Sequence, residues 1–266
     1  MSRAAPPAHD LPCGARRLAR ALLLGAATLL AACGQPREVL VGAAASLAEP
    51  MAAAASAWGD EHPGLRVRLV LGASNSLAEQ MRAGAPIDVL VSADPRVVDR
   101  LEADAIVRPE DRARLAGNRL VVLVRRDLPV DAAAPERLLD PEIRRVAVPD
   151  ASVPVGGYAR GWLANRGLLA ALAARLVATP DARATLAAVD SGDVDAAIVY
   201  ATDARLARSA RIAFEIPAAE QPEIVYEAAL RAGAGVEARG FFAFLAGGGA
   251  ARALTDAGFS PPPGAR

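Results

Sequence analysis

Four short segments of the 266-residue chain share a pattern that suits anion binding. In each, an apolar run or a breaker gives way to a small or hydroxyl residue and then to a helical stretch. The segments are Gly42-Ala-Ala-Ala-Ser46-Leu47, Leu71-Gly-Ala-Ser74-Asn-Ser76-Leu77, Ser152-Val-Pro154-Val155-Gly156-Gly157-Tyr158 and Thr179-Pro180-Asp181-Ala182-Arg183. The first turn of a helix leaves its N–H groups without carbonyl partners and carries about half a positive charge, so it is a prepared anion site. A serine hydroxyl there adds a donor. Taken singly, each serine also reads as an N-cap with no ligand, and many α/β proteins carry several such loops.

Other chemistries are poorly served. Histidine occurs only at His9 and His62, and cysteine only at Cys13 and Cys33. His62 lies in Asp60-Glu61-His62-Pro63-Gly64, which reads as a helix-to-strand turn and places the imidazole at the surface. Asp88 and Asp94 flank an apolar strand, as paired carboxylates for acid–base work would. Yet an acid-rich pocket repels an anion, and Asp94 before Pro95 suits a helix cap. No GxSxG elbow is present. The expectation is a binding protein that performs no catalysis and needs no cofactor; a periplasmic hydrolase or other enzyme is the rival from a different class.

The elements that must position these loops alternate. Glu38–Gly42 reads as a strand, Leu47–Trp58 as a helix, Leu65–Leu71 as a strand, Leu77–Ala83 as a helix, Ile87–Ser92 as a strand and Pro95–Ala103 as a helix opened by proline. Arg119–Arg125 begins a second series: a strand at Arg145–Val148, helices over 157–165, 167–177 and 181–190, and a strand at Ala196–Tyr200. The strand Ile224–Leu230 and helices near 236–246 and 249–257 follow. Strand–helix alternation with short loops predicts an α/β chain of two closely connected lobes, each with its own mainly parallel sheet. Segments 119–125 and 224–230 are expected to cross between the lobes as two hinges. Clefts in such folds lie beyond the C-terminal ends of strands, where helix N-termini gather.

Composition bounds the partners. With 53% hydrophobic residues the chain has ample apolar surface to fold. Thirty basic residues, all arginine, balance thirty acidic ones, so there is no basic footprint for nucleic acid. At the N-terminus, Arg16, Arg17 and Arg20 precede the twelve-residue apolar run Ala21–Ala32. A permanent membrane span needs about 20 residues, so the run reads as the core of a secretory signal. Leu30-Ala31-Ala32-Cys33 resembles the lipobox of bacterial lipoproteins, in which the cysteine is acylated and becomes the first residue. An ordinary signal peptide with a chance cysteine and a twin-arginine signal at Arg16-Arg17 are the alternatives. Removal of 1–32 leaves 26 basic against 29 acidic side chains, one cysteine and one histidine. An internal disulfide and a Cys/His metal site are then both excluded.

The loops become specific through a resemblance. Val39-Leu-Val-Gly-Ala-Ala-Ala-Ser46-Leu47 closely resembles the opening of the periplasmic molybdate-binding proteins. So does Gly72-Ala-Ser74-Asn-Ser76-Leu77-Ala-Glu-Gln80 followed by Gly84-Ala-Pro-Ile-Asp88-Val-Leu-Val-Ser92-Ala-Asp94. Val153-Pro154-Val155-Gly156 and Gly192-Asp-Val-Asp-Ala-Ala-Ile-Val-Tyr200-Ala-Thr-Asp203 match later motifs in order, and the similarity runs from about 38 to 259. The resemblance implies the two-lobed type II periplasmic binding protein fold, with a signal peptide at 1–32, lobe I at 37–118 plus 226–259, lobe II at 119–225 and a disordered tail at 260–266. It implies that molybdate, and tungstate with it, is held between the lobes through its oxygens, with no direct metal ligand and no cationic side chain. Ser46 and Ser74 would each give hydroxyl and backbone N–H, Val155 and Ala182 backbone N–H, and Tyr200 its hydroxyl. Tyr200 alone reads equally as a strand-end tyrosine with its ring in the core. Val155 departs from the family's usual alanine, and Ala182 also departs in side chain; neither loses its amide. The implied partners are an ABC permease with its ATPase and, through Cys33, a membrane; the implied state is a monomeric periplasmic lipoprotein. A receptor for sulfate, phosphate or a small organic anion on the same fold is the nearer rival.

Overall fold

A computed structural model of the chain describes residues 37–129 and 134–264. The signal peptide expected over 1–32 and the lipid anchor expected at Cys33 lie outside the described residues.

The apolar strands build two mixed sheets of five strands each. The first holds β1 (Arg37–Ala44), β2 (Leu65–Gly72), β3 (Val89–Ser92), β4 (Val107–Asn118) and β10 (Ile224–Arg231), in the order β2-β1-β3-β10-β4. The second holds β5 (Leu120–Arg125), β6 (Val146–Ala147), β7 (Leu176–Val177), β8 (Ala196–Tyr200) and β9 (Ala210–Glu215), in the order β7-β6-β8-β5-β9. Around the first sheet pack α1 (Ala48–Glu61), α2 (Ser74–Arg82), α3 (Pro95–Ala103), α8 (Val236–Ala246) and α9 (Ala251–Asp256). The second carries α4 (Pro154–Asn165), α5 (Leu169–Leu172), α6 (Ala182–Asp190) and α7 (Ala201–Ala204).

The central strands β3 and β8 read as largely apolar runs because both faces are covered; β10, also central, carries Glu227, whose charge is met by Arg112. In β3, Val89 and Val91 face one way, into a cluster with Val41, Trp58 and Phe241. Leu90 faces the other way, against Leu77, Val98 and Leu101. Consecutive side chains of a strand point to opposite faces, so a strand between two helical layers must be apolar throughout. β3 pairs parallel with β1 (Val41 opposite Val89) and antiparallel with β10. β8 repeats the arrangement, with Ile198 and Tyr200 on one face and Ala197 and Val199 on the other.

The chain passes from the first sheet to the second through one residue, Arg119, between β4 and β5. It returns through residues 216–223, ahead of β10.

The structure departs from the sequence reading at the sheet edges. β4, β7 and β9 were not expected as strands, and each is an outermost strand of its sheet. β4 contains Pro109 and five charged residues, which an edge strand tolerates because one side makes no ladder bonds. The helix expected over 167–177 is the single turn of α5 followed by a 3₁₀ turn and β7, because Leu176 pairs with Val146. Ser260, at the head of the tail expected to be disordered, instead pairs with Gly117: Gly117 donates its N–H to the Ser260 carbonyl at 2.8 Å, and Ser260 returns the bond at 3.1 Å.

Candidate functional site

Four helix starts and one strand end meet at a cavity enclosing about 220 Å³ of empty space, mouth included. At the end of β1 the chain enters a 3₁₀ turn, Ala45–Leu47, that runs into α1 and puts Ser46 in its first turn. Ser74 is the first residue of α2, reached from β2 through Ala73 alone. Pro154 occupies the first position of α4, where its missing N–H costs nothing, and Val155 follows with its amide in the first turn. Asp181 caps α6 by accepting the Ala184 N–H at 2.9 Å, which makes Ala182 the first helical residue. Tyr200 ends β8. All five residues line the same cavity, Ser46 and Ser74 from the first sheet's side and Val155, Ala182 and Tyr200 from the second's.

First-turn amides have no carbonyl one turn back to accept them, so those of Ser46, Ser74, Val155 and Ala182 are available to a ligand. The remaining walls come from small residues, among them Ala44, Ala73 and Ala93, which keep the backbones close to the cavity. No arginine lines it among the described residues; the one acidic side chain is Asp181.

The hydroxyl groups are set with care. Ser74 Oγ accepts the Ala93 N–H at 3.0 Å, so its own proton is available to the cavity. Ser46 Oγ lies 2.9 Å from the Tyr226 hydroxyl. Tyr200 is 1% exposed, and its hydroxyl is a buried polar atom without a protein partner among the described residues. Burial pushes its phenol well above the ordinary tyrosine range, so it stays protonated and can only be waiting to donate or accept.

Behind the cavity stands a charged group that the sequence reading did not single out. Arg183, beside Ala182, donates from Nε to the Ala45 carbonyl at 3.2 Å and pairs with Glu49. It thus spans from α6 to the turn that bears Ser46. The Ala45 carbonyl belongs to the same peptide as the Ser46 N–H, so the guanidinium polarises that amide without touching the cavity. Arg183 Nε also lies 3.1 Å from Asp203 Oδ1. Its N–H is directed at Ala45, however, and neither carboxylate oxygen of Asp203 receives a hydrogen bond among the described residues. Burial pushes the Asp203 carboxyl up to about 7; Arg183 pulls it down, and Glu49 and Asp181 add to the rise.

Two further contacts join the sides of the cleft. Asn75 donates to Ser152 Oγ at 3.1 Å, and the Arg96 guanidinium stacks over the Tyr158 ring at 5.4 Å.

The candidate acid–base residues do not converge. Asp94 accepts the Arg96 N–H at 2.9 Å as the cap of α3. Asp88 accepts the Leu40 N–H at 3.1 Å and pairs with Arg231 at 2.7 Å. His62 stacks on Trp58 with ring centroids 3.5 Å apart and donates from Nδ1 to the Trp58 carbonyl. It is half-buried rather than free at the surface.

The bacterial extracellular solute-binding proteins match over residues 39–260. The molybdate-binding protein ModA of Escherichia coli is 30% identical over 251 residues, which cover 90% of this chain and 96% of that protein. ModA of Haemophilus influenzae is 29% identical over 228 residues, 84% of this chain and 90% of that one. The structure of the periplasmic molybdate-binding protein of Azotobacter vinelandii superposes with a TM-score of 0.74 at 23% identity, covering 84% of this chain and 99% of that one. The chain belongs to the bacterial extracellular solute-binding proteins and is similar over most of its length to molybdate-binding proteins.

Proposed function

We propose that the protein captures molybdate, and tungstate with it, between its two lobes and delivers it to an ABC importer, performing no chemistry and needing no cofactor. The observation that carries this reading is the convergence of Ser46, Ser74, Val155, Ala182 and Tyr200 on one small cavity with no arginine in its wall among the described residues. A tetrahedral dianion has four acceptor oxygens. Hydroxyl and amide of each serine, the amides of Val155 and Ala182, and the Tyr200 hydroxyl supply seven neutral donors. Charge-assisted bonds contribute about 1.5–3 kcal/mol each, which together offset a large dehydration cost. Donors fixed on helix ends cannot follow a smaller ion inward, so sulfate leaves some of them unpaired, and an unmade buried bond is expensive.

Delivery requires a permease and its ATPase. On this reading residues 1–32 are an export signal that brings the protein to the periplasm, Cys33 carries its lipid anchor, and the protein works there as a monomer. Calorimetric titration of the purified mature protein tests the assignment. Molybdate and tungstate bind at least about a hundredfold tighter than sulfate or phosphate; equal responses to all four overturn the reading.

A further inference from the structure

Tyr226 lies in the middle of β10, wholly buried, and takes no part in the cavity wall. Its hydroxyl nevertheless belongs to a chain of hydrogen bonds that ends at the site, and the direction of each bond can be worked out. The Arg119 backbone N–H, which can only donate, points at Asn118 Oδ1 at 2.8 Å. That fixes the amide, so Asn118 Nδ2 is the donor to Thr202 Oγ1 at 3.0 Å and to the Tyr226 hydroxyl at 3.3 Å. Tyr226 therefore accepts from Asn118 and has one proton to place. Its other partner among the described residues is Ser46 Oγ, 2.9 Å away. Were Ser46 the donor, the buried Tyr226 proton would have no acceptor, at the full cost of an unsatisfied group. The phenol therefore donates, Ser46 Oγ accepts, and the serine's own proton is left to face the cavity. Ser74 is held in the same sense by the Ala93 N–H.

We infer that Tyr226, oriented by Asn118, is a specificity-determining residue that makes Ser46 a one-way donor, so that Ser46 offers no acceptor to a ligand proton and the site favours oxyanions bearing no proton over protonated ones of the same shape. This rests on the oxyanion reading above. A ligand proton needs an acceptor. Both serine oxygens are already engaged from behind, and their protons point at the ligand, so at either serine a hydrogen phosphate sets proton against proton, and the acceptors left in the wall are the Tyr200 hydroxyl and the Asp181 carboxylate. Without the Tyr226 hydroxyl, Ser46 can rotate and offer a lone pair instead.

Sulfate and hydrogen phosphate test this cleanly. At about pH 8 both are tetrahedral dianions of nearly equal size, differing by one proton. Each is titrated as a competitor of molybdate against wild type, Tyr226→Phe and Asn118→Asp, with thermal unfolding as the check on folding. Tyr226→Phe keeps the ring against Phe259 and Tyr200. Asn118→Asp keeps the acceptor for Arg119 but draws the Tyr226 proton away from Ser46. Wild type prefers sulfate to phosphate by at least about tenfold, the worth of one hydrogen bond. In each folded variant that preference shrinks about tenfold, and molybdate binding also weakens. A purely structural role would weaken all anions alike and leave the ratio unchanged, which overturns the inference. So does a wild type that binds sulfate and phosphate equally while still binding molybdate, a result that needs no variant. If wild type ignores all three anions, the oxyanion reading itself fails and the inference falls with it.

Discussion

At the residue scale the site depends on hydroxyl groups whose partners are missing or committed. Tyr200 pays for its position: a buried hydroxyl without a partner costs about 1–3 kcal/mol. Tyr200→Phe should therefore raise the melting temperature of the ligand-free protein while weakening molybdate binding by about ten- to a hundredfold. Paired melting and titration curves check both signs, and a variant that loses stability and keeps affinity would refute the role. Asp203 makes a second case. Its carboxyl is raised to about 7 in the folded chain and lies near 3.9 when unfolded. The folded state therefore holds an extra proton between these values. The stability this contributes is full below about pH 4 and is lost as pH rises toward 7, with a slope of at most about 1.4 kcal/mol per unit. Denaturant unfolding of wild type against Asp203→Asn should show that difference, and parallel pH profiles would exclude it.

At the scale of elements, the four helix starts must be delivered to one point. Gly156 shows how tightly. A Cβ there would stand 2.1 Å from the Asp150 carbonyl and 2.5 Å from that of Pro149, both backbone atoms that cannot turn aside. Gly156→Ala should cost about 1–3 kcal/mol and displace the Val155 amide, weakening molybdate binding by more than Gly161→Ala, where the added methyl meets open space. Equal effects of the two would show that the α4 start is not held by this contact.

The same scale explains what the sequence could and could not tell. Central strands such as β3 and β8 were legible because double-sided burial makes them apolar at nearly every position, Ser92 at the end of β3 excepted. The starts at Pro95 and, within one residue, Asp181 were legible because an aspartate cap is local chemistry, whereas the helices expected from Leu77 and from 157 begin three residues earlier, at Ser74 and Pro154. The edge strands β4, β7 and β9 were not, since an edge accepts proline, charge and brevity, and only the partner strand defines it. Ser46, Ser74, Val155, Ala182 and Tyr200, which line one cavity, were singled out together only through motif resemblance; no periodicity or charge pattern marked them as a set. Arg183 and Tyr226 escaped, because the first reads as one more arginine of a helix and the second as one more aromatic in a strand. Their roles arise from contacts spanning 138 and 180 residues of sequence.

On the scale of the whole molecule, the proposed capture of an ion between the halves depends on the contacts that hold them together. The two halves are joined at Arg119 and through 216–223, and they meet again across the cleft through Arg183 to Ala45 and Glu49, Asn75 to Ser152, and Arg96 to Tyr158. Arg183 is 27% exposed on its side chain, so its ion pair is partly screened and contributes about 1 kcal/mol or less. Arg183→Gln should raise the molybdate dissociation rate roughly three- to tenfold and leave association nearly unchanged, as expected for contacts formed after encounter. Stopped-flow release measurements decide this, and a change confined to association would contradict the latch.

The central claim is that uncharged donors from both halves hold the ion. A crystal structure of the mature protein grown with molybdate, located by the anomalous signal of molybdenum, tests it most directly. The account predicts one site in the cavity, its oxygens bonded to the hydroxyls of Ser46, Ser74 and Tyr200 and the amides of Ser46, Ser74, Val155 and Ala182. Molybdenum found elsewhere, or gripped by an arginine side chain, would contradict it.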